Sequence, residues 1–375
     1  MKRDLNRLAS QNFDLVVIGG GIQGAAVALE AAHCGLQTAL VEKGDFGHAT
    51  SANSLKILHG GFRYLQSLDL HRMRSSIWSR NFFMRLAPHL VQPLPCVIPT
   101  HGCGLRGKYP MGLGLLLNDM IAWDRNVGLD HDKRLPLGKL ISLQKCSREM
   151  PEVSVSGKSG GAVWYDALAV DTERMTLAVV KEAAGLGVCA ANYCRATELR
   201  IARNRINGLW AQDVLSGQSF PVFSSVIIDA TGPWLQHSLL PKAQARQHIS
   251  WARGVNIVVR KRLSASMAMG LEGDSVNGHH SRGRGGKKKR FFFFVPWGGY
   301  TMVGTVYTRH DGPPEKMTVS RHELQSMIDE IRSIHPGSGL KYEDISFYHA
   351  GLLPMDSGVV SNNGISLHQS NSLAL

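Results

Sequence analysis

Four side chains suited to acid–base or anion-binding work fall within nine residues of one another: Lys56, His59, Arg63 and Tyr64. An imidazole titrates near neutral pH, so His59 is the candidate general base. Arg63 and Tyr64 would hold a substrate anion, the guanidinium by its planar fork of N–H donors. The surrounding segment, residues 44–66, reads GDFGHATSANSLKILHGGFRYLQ. The hydroxyls of Thr50 and Ser51 suit a phosphate or a polyol chain. His59, Gly60 and Gly61 let backbone pass close to a flat ring, because glycine carries no Cβ. No metal-ligating set is read. The six cysteines, at 34, 96, 103, 146, 189 and 194, form no C-x-x-C pair and read as reduced thiols in a reducing compartment.

The elements that must position this cluster begin just upstream. Phe13 to Lys43 reads FDLVVIGGGIQGAAVALEAAHCGLQTALVEK. Leu15 to Ile18 is a short apolar run bounded by glycines, the pattern of a strand buried on both faces. Gly19, Gly21 and Gly24 fit G-x-G-x-x-G: a tight turn, close backbone approach to a pyrophosphate, and close packing of helix on strand. A helix from about Ile22 to His33 offers its free N–H groups and positive dipole end to phosphate. Gln37 to Val41 reads as the second strand. Glu42 closes it eighteen residues after Gly24, where an acid accepts from ribose hydroxyls, and Lys43 follows. A lone histidine or arginine more often packs or solvates. The position of this cluster directly after a nucleotide-binding unit argues for chemistry.

Length and composition bound the rest. A chain of 375 residues accommodates two domains, or one α/β domain with an inserted lobe. Hydrophobic content of 43% supports a packed core, and forty glycines suit tight turns around a ligand. The net charge of +13 points to an anionic substrate, a membrane surface or nucleic acid. No recognition motif supports nucleic acid. The N-terminus has no apolar signal core, and no run reaches the roughly 18 apolar residues of a membrane span. Met111 to Trp123 reads as an apolar helix belonging to the core, with a hydrophobic access surface as the alternative. Ser281 to Arg290, SRGRGGKKKR, carries six positive charges in ten residues and reads as a solvated hairpin loop; contact with anionic lipid is the functional alternative.

Further along, Asp171 is placed to cap a helix, and hairpins are expected around Asn204 and Ser216-Gly217. Val226 to Ala230 is an apolar strand ending in Thr231-Gly232-Pro233-Trp234. A Thr-Gly there sets a second backbone loop, with Trp234 beside it, against the dinucleotide. Ser320 to Ile334 is an amphipathic helix with a capping box at Ser320 and Glu323.

IGGGIQGAAVALEAA followed by ATSANSLKILHGGFRYLQ resembles the FAD-dependent glycerol-3-phosphate dehydrogenases, within the D-amino-acid-oxidase-like flavoproteins. The similarity continues through Ala87-Pro88-His89-Leu90, Trp164-Tyr165-Asp166 with Asp171 to Leu177, and Asp229 to Trp234. Arg253-Gly254 leading into Ile257, and Phe294-Val295-Pro296-Trp297 leading to Gly304-Thr305, fit as well. The resemblance implies an α/β fold: a Rossmann-like FAD-binding domain, residues 13–90 and 151–240, with an inserted antiparallel-sheet substrate domain, residues 91–150 and 241–355, and a polar tail, 356–375. It implies FAD as cofactor and hydride transfer from sn-glycerol 3-phosphate to FAD, giving dihydroxyacetone phosphate. Electrons would then pass to a quinone, and the protein would be cytoplasmic or peripheral on the inner face of the cytoplasmic membrane.

Two departures qualify that expectation. The family's arginine in the strand matching His349 to Pro354 is Leu353 here, which cannot bind phosphate. The family's glycine-lysine-threonine-tyrosine segment and final helix find no match, so a chain lacking the C-terminal segment is expected, with flavin binding and catalysis affected. The alternatives are an amino-acid or amine oxidase of the same flavin group and a catalytically silent relative.

Overall fold

Two sheets share the chain between them. The computed structural model describes residues 1–367 apart from 103, 151–152, 155–156, 204, 238–248, 265, 275–288 and 362–363. The first half runs α1 (Leu5–Ser10), β1 (Asn12–Ile18), α2 (Ile22–His33), β2 (Thr38–Val41), β3 (Ile57–Leu58), a 3₁₀ turn (Phe62–Ser67), α3 (Leu70–Leu86), β4 (Val91–His101), α4 (Lys108–Ile121) and β5 (Lys139–Ile141). There follow α5 (Leu143–Glu149), β6 (Lys158–Ala169), α6 (Thr172–Gly185), β7 (Cys189–Ala191), β8 (Cys194–Ala202), β9 (Arg205–Asp213) and β10 (Ser219–Asp229). The remainder is β11 (Trp251–Val259), β12 (Ala268–Asp274), β13 (Lys289–Trp297), β14 (Tyr300–His310), α7 (Arg321–Ile334), β15 (Ile345–Ser361) and β16 (Gly364–Leu367).

The first sheet has strand order β7-β2-β1-β10-β9-β8. Its four strands β7, β2, β1 and β10 are parallel. Parallel strands are covered on both faces, which explains the unbroken apolar runs in β1 and β2. On one face Leu15, Val17 and Leu40 pack against Ala25, Ala28 and Leu29 of α2 and against Val179, Val180 and Ala183 of α6. Each fully buried valine or leucine contributes about 1.5–3 kcal/mol. The capping of α6 by Asp171, which accepts from the Arg174 N–H, is as the sequence indicates.

The second sheet runs β16-β15-β11-β14-β13-β12-β4-β6-β3, with β5 paired to β6. Its pairings are antiparallel except β12 with β4. One face buries Val255, Ile257 and Val303 under Leu324, Met327, Ile328 and Ile331 of α7. The capping box at Ser320 and Glu323 starts that helix. The architecture is therefore Rossmann-like α/β joined to a large antiparallel sheet.

The structure redraws four details. β3 and β6 fall in the ranges expected to serve the nucleotide-binding domain, yet both pair into the second sheet, because β6 finds its full-length partner in β4. The expected polar tail continues β15 to Ser361 and turns back into β16, with Val360 opposite Ile365. α4 is largely solvent-facing rather than core: Leu115 is buried, but Leu113, Leu116 and Met120 are exposed. The basic cluster at 281–290 lies outside the described residues, apart from Lys289 and Arg290.

Candidate active site

The glycine turn after β1 is built by contacts no other residue permits. A Cβ at Gly24 would lie 1.9 Å from the Gly19 carbonyl oxygen, and one at Gly19 2.5 Å from the Ala230 carbonyl oxygen. Helix α2, β1 and the end of β10 thus converge at backbone distance. A Cβ at Gly21 would meet only the Ser51 hydroxyl, at 3.2 Å, and one at Gly232 would meet open space. The gap lies at the carboxyl ends of parallel strands, beside the start of α2, where dinucleotides bind in such sheets. Glu42 is buried and accepts from the N–H groups of Gly20 and Gly44, each at 2.7 Å. A carboxylate has about four acceptor positions, so capacity for ribose hydroxyls remains.

The hydroxyls of this loop also hold the fold together. Ser51 accepts from the Ile22 N–H at 2.9 Å and so caps the first turn of α2 from outside. Thr50 donates to the Leu352 carbonyl at 3.1 Å and accepts from the Leu352 N–H at 3.3 Å, tying this loop to β15. Thr231 donates to Asp229 at 2.6 Å, which fixes the Thr231-Gly232 turn opposite Gly19. Lys43 stands 3.7 Å above the Trp234 ring, and both reach Glu315. Burial chiefly, set against the attraction of Glu315, lowers the Lys43 pKa.

The reactive cluster follows from strand register. β3 pairs with β6 so that Leu58 faces Ala167; one further step brings His59 to Asp166. His59 Nδ1 lies 3.0 Å from Asp166 Oδ2. The other carboxylate oxygen accepts from the Gly60 N–H at 2.6 Å, and Trp164 Nε1 donates to Oδ2 at 3.2 Å. Arg80, 3% exposed in the middle of α3, reaches within 3.6 Å of Asp166. Gly60 leaves the room that Arg80 occupies, since a Cβ would fall 2.0 Å from Arg80 Nη1. Burial alone would raise the Asp166 pKa. The hydrogen bond from His59, the charges of His59 and Arg80, and the Gly60 N–H outweigh it and hold Asp166 below the usual carboxylate range. An ionised Asp166 can only accept, so the hydrogen between the pair sits on His59 Nδ1, and in a neutral ring Nε2 is then the acceptor.

Gly61, at φ +87°, turns the chain into the 3₁₀ segment bearing Arg63 and Tyr64. Arg63 is exposed and rests beside the Tyr64 ring, which Arg72 covers at 4.6 Å. Among the described residues no contact links Arg63 to His59. Lys56 is 2% exposed and is used structurally: it donates to Thr172 at 2.9 Å and to Glu173 at 3.2 Å, pinning the loop to the start of α6.

Two buried polar features of this region escaped the sequence. Asp166 sits in a noted motif, but nothing in sequence pairs it with a residue 107 positions away. His349 is buried between Trp297 and Phe347, and its Nε2 finds no partner among the described residues. Burial first, then the charge of Lys56, lowers its pKa from 6.5, partly opposed by Glu173. The folded chain therefore holds His349 neutral. As pH falls below about 6.5 the unfolded chain takes up a proton that the folded chain refuses, so stability declines. The slope is at most about 1.4 kcal/mol per pH unit. A His349→Phe variant is expected to flatten that slope between neutral and mildly acidic pH in urea titrations. An unchanged slope would remove His349 as its source.

The profile of the FAD dependent oxidoreductase family matches residues 14–368. The chain belongs to that family. Its cofactor is FAD, and the cradle of Gly19, Gly21, Gly24, Glu42 and Gly232 fits that dinucleotide. The chain is similar to a glycerol-3-phosphate dehydrogenase of Synechocystis sp., 30% identical over 359 residues, 94% of this chain and 62% of that protein. Among solved structures it superposes on the glycerol-3-phosphate dehydrogenase of Bacillus halodurans complexed with FAD, with TM-score 0.70 and 23% identity, covering 96% of this chain and 62% of that one. It also superposes on the FAD-bound L-alpha-glycerophosphate oxidase of Mycoplasma pneumoniae, with TM-score 0.64 and 17% identity, covering 95% and 89%. The chain spans about 60% of the length of the curated relatives it matches.

Proposed function

We propose that this chain oxidises sn-glycerol 3-phosphate, or a similar small anionic alcohol, to the ketone, and that a quinone is the final electron acceptor. The observation that carries the reading is the His59–Asp166 pair, at 3.0 Å, standing one residue from the glycine pair Gly60-Gly61. FAD, when bound, supplies the hydride acceptor. His59 Nε2 takes the hydroxyl proton. Asp166 fixes the tautomer and stabilises the imidazolium that results. Arg80 keeps Asp166 ionised from the far side. Arg63 and Tyr64 hold the anionic end of the substrate. The Synechocystis relative, named as a glycerol-3-phosphate dehydrogenase, supports this substrate class.

Arg63→Leu tests the anion role. Loss of a charge-assisted contact weakens apparent affinity for glycerol 3-phosphate about tenfold to a hundredfold, and leaves glycerol oxidation unchanged. The measurement is stopped-flow reduction of the FAD-loaded protein by each alcohol. Equal effects on both would leave Arg63 a packing residue.

A second reading rests on Leu353. It stands on β15 against Gly254, on the strand face that also carries His349 and Gly351. Leucine supplies no phosphate contact, which favours a substrate without one, such as an amino acid or amine. The same assay run with amino acids separates the two: reduction by an amino acid and none by glycerol 3-phosphate overturns the first reading.

The membrane side of the proposal is peripheral attachment to an anionic surface, supported by the net charge of +13. Among the described residues no helix is long and apolar enough to cross a membrane.

A further inference from the structure

Helix α4 carries an apolar side with no partner among the described residues. Tyr109 is 87% exposed, Leu113 59%, Leu116 58% and Met120 62%, and Trp123, just past the helix, 77%. Spacings of four, three, four and three place these five in one stripe along the helix. The opposite side is docked: Leu115 is buried, a Cβ at Gly114 would lie 3.6 Å from Leu65, and one at Gly112 3.1 Å from Leu140. The stripe is thus held outward by the packing of the other side. No charge interrupts it, since Asp119 turns away to pair with Arg125 and accept from the Gly138 N–H. An exposed apolar patch of this kind marks an interaction site.

The chemistry around the stripe identifies the partner. Aromatic residues stand at both ends, with leucine and methionine between them. Lys108 opens the helix, and Lys139 stands on β5, which packs beside α4; both are exposed. Apolar face, aromatic ends and cationic flanks are the makeup of a helix lying in a lipid headgroup layer. A second copy of the chain fits less well. The exposed cations Lys108 and Lys139 beside the stripe suit an anionic surface better than a second copy carrying the same charges.

We propose that α4 lies in the headgroup region of an anionic bilayer with the Tyr109 to Trp123 stripe facing the acyl chains. The proposal deepens the membrane reading above and rests on it. Attachment there brings the oxidoreductase to an acceptor dissolved in the lipid.

The test is sedimentation of the FAD-loaded chain with vesicles of phosphatidylcholine alone and of phosphatidylcholine with phosphatidylglycerol. The wild type is expected to bind the anionic vesicles. The combined variant Leu113→Ser, Leu116→Ser, Met120→Ser is expected to bind at least about tenfold more weakly, with FAD content and thermal midpoint retained, because these side chains already face solvent. Lys108→Glu with Lys139→Glu should weaken binding to the anionic vesicles only. Brominated lipid should quench the wild type more than Trp123→Phe. A serine variant that binds like the wild type overturns the α4 assignment while leaving membrane attachment standing. A wild type that binds neither vesicle overturns both. Wild-type dimers in solution that the serine variant returns to monomers would overturn the lipid assignment in favour of a second copy.

Discussion

Replacing His59 with asparagine is expected to slow reduction of bound FAD by glycerol 3-phosphate about 10²–10⁴-fold while FAD stays bound. The side chain chosen matters. Asparagine keeps an N–H that can reach Asp166, and the Gly60 N–H holds Asp166 at 2.6 Å independently. The loop therefore keeps its shape, and what disappears is the free acceptor at Nε2. Asp166→Asn is a poorer probe. It would leave Arg80, 3% exposed, without its anion, and breaking a buried pair from one side costs about 3–5 kcal/mol. Loss of activity there would be confounded with loss of fold. The measurement for His59→Asn is the stopped-flow bleaching of the flavin absorbance, alongside FAD released on denaturation. If His59 only packs against the loop, the variant will lose FAD and thermal stability, and its remaining holoprotein will react at the wild-type rate. That outcome would remove the base assignment.

How much of this was legible in the sequence depends on how local each contact is. The first βαβ unit was legible because its signal lies in one run: glycines at 19, 21 and 24, an apolar strand before them, an acid at 42. The boundaries of α2, Ile22 to His33, agree with the reading. The capping residues Asp171 and Ser320 were legible for the same reason, since a cap acts three residues away. His59 was visible as a residue type, but its partner was not. The pairing of β3 with β6 spans more than a hundred positions, and no periodicity encodes it. Arg80 was invisible for a different reason: α3 carries five arginines and histidines on mixed faces, and only tertiary packing decides which one is buried. Thr50 and Ser51 read as ligand hydroxyls from composition alone. Both also satisfy backbone groups, Thr50 across to Leu352 and Ser51 at Ile22, a use of a hydroxyl that composition does not reveal. The apolar run in α4 looked like core because a run does not reveal which side its neighbours cover.

Two glycines three residues apart are expected to fail in opposite ways when replaced by valine. At Gly24 the new Cβ would sit 1.9 Å from the Gly19 carbonyl oxygen. That oxygen belongs to the backbone, so the helix would have to lift off β1, opening the contact among Leu15, Val17, Ala25 and Ala28. Gly24→Val should therefore lose folded protein outright, with overpacking alone costing about 1–3 kcal/mol before the helix shifts. At Gly21 the backbone is ordinary, φ −71° and ψ 177°, so any residue can adopt it. Its Cβ would meet only the Ser51 hydroxyl at 3.2 Å, a side-chain contact relieved by a shift of a few tenths of an ångström. Gly21→Val should fold with circular dichroism and thermal midpoint near those of the FAD-free wild type. Its branches, however, would occupy the space where the start of α2 meets the pyrophosphate. FAD affinity should fall at least about a hundredfold, the size of two lost charge-assisted hydrogen bonds. Titration of the apoprotein with FAD, read by flavin fluorescence, checks this. A Gly21→Val protein that binds FAD as the wild type does would mean that the pyrophosphate does not cross the start of α2. A Gly24→Val protein that folds normally would mean that helix and strand can part here at little cost.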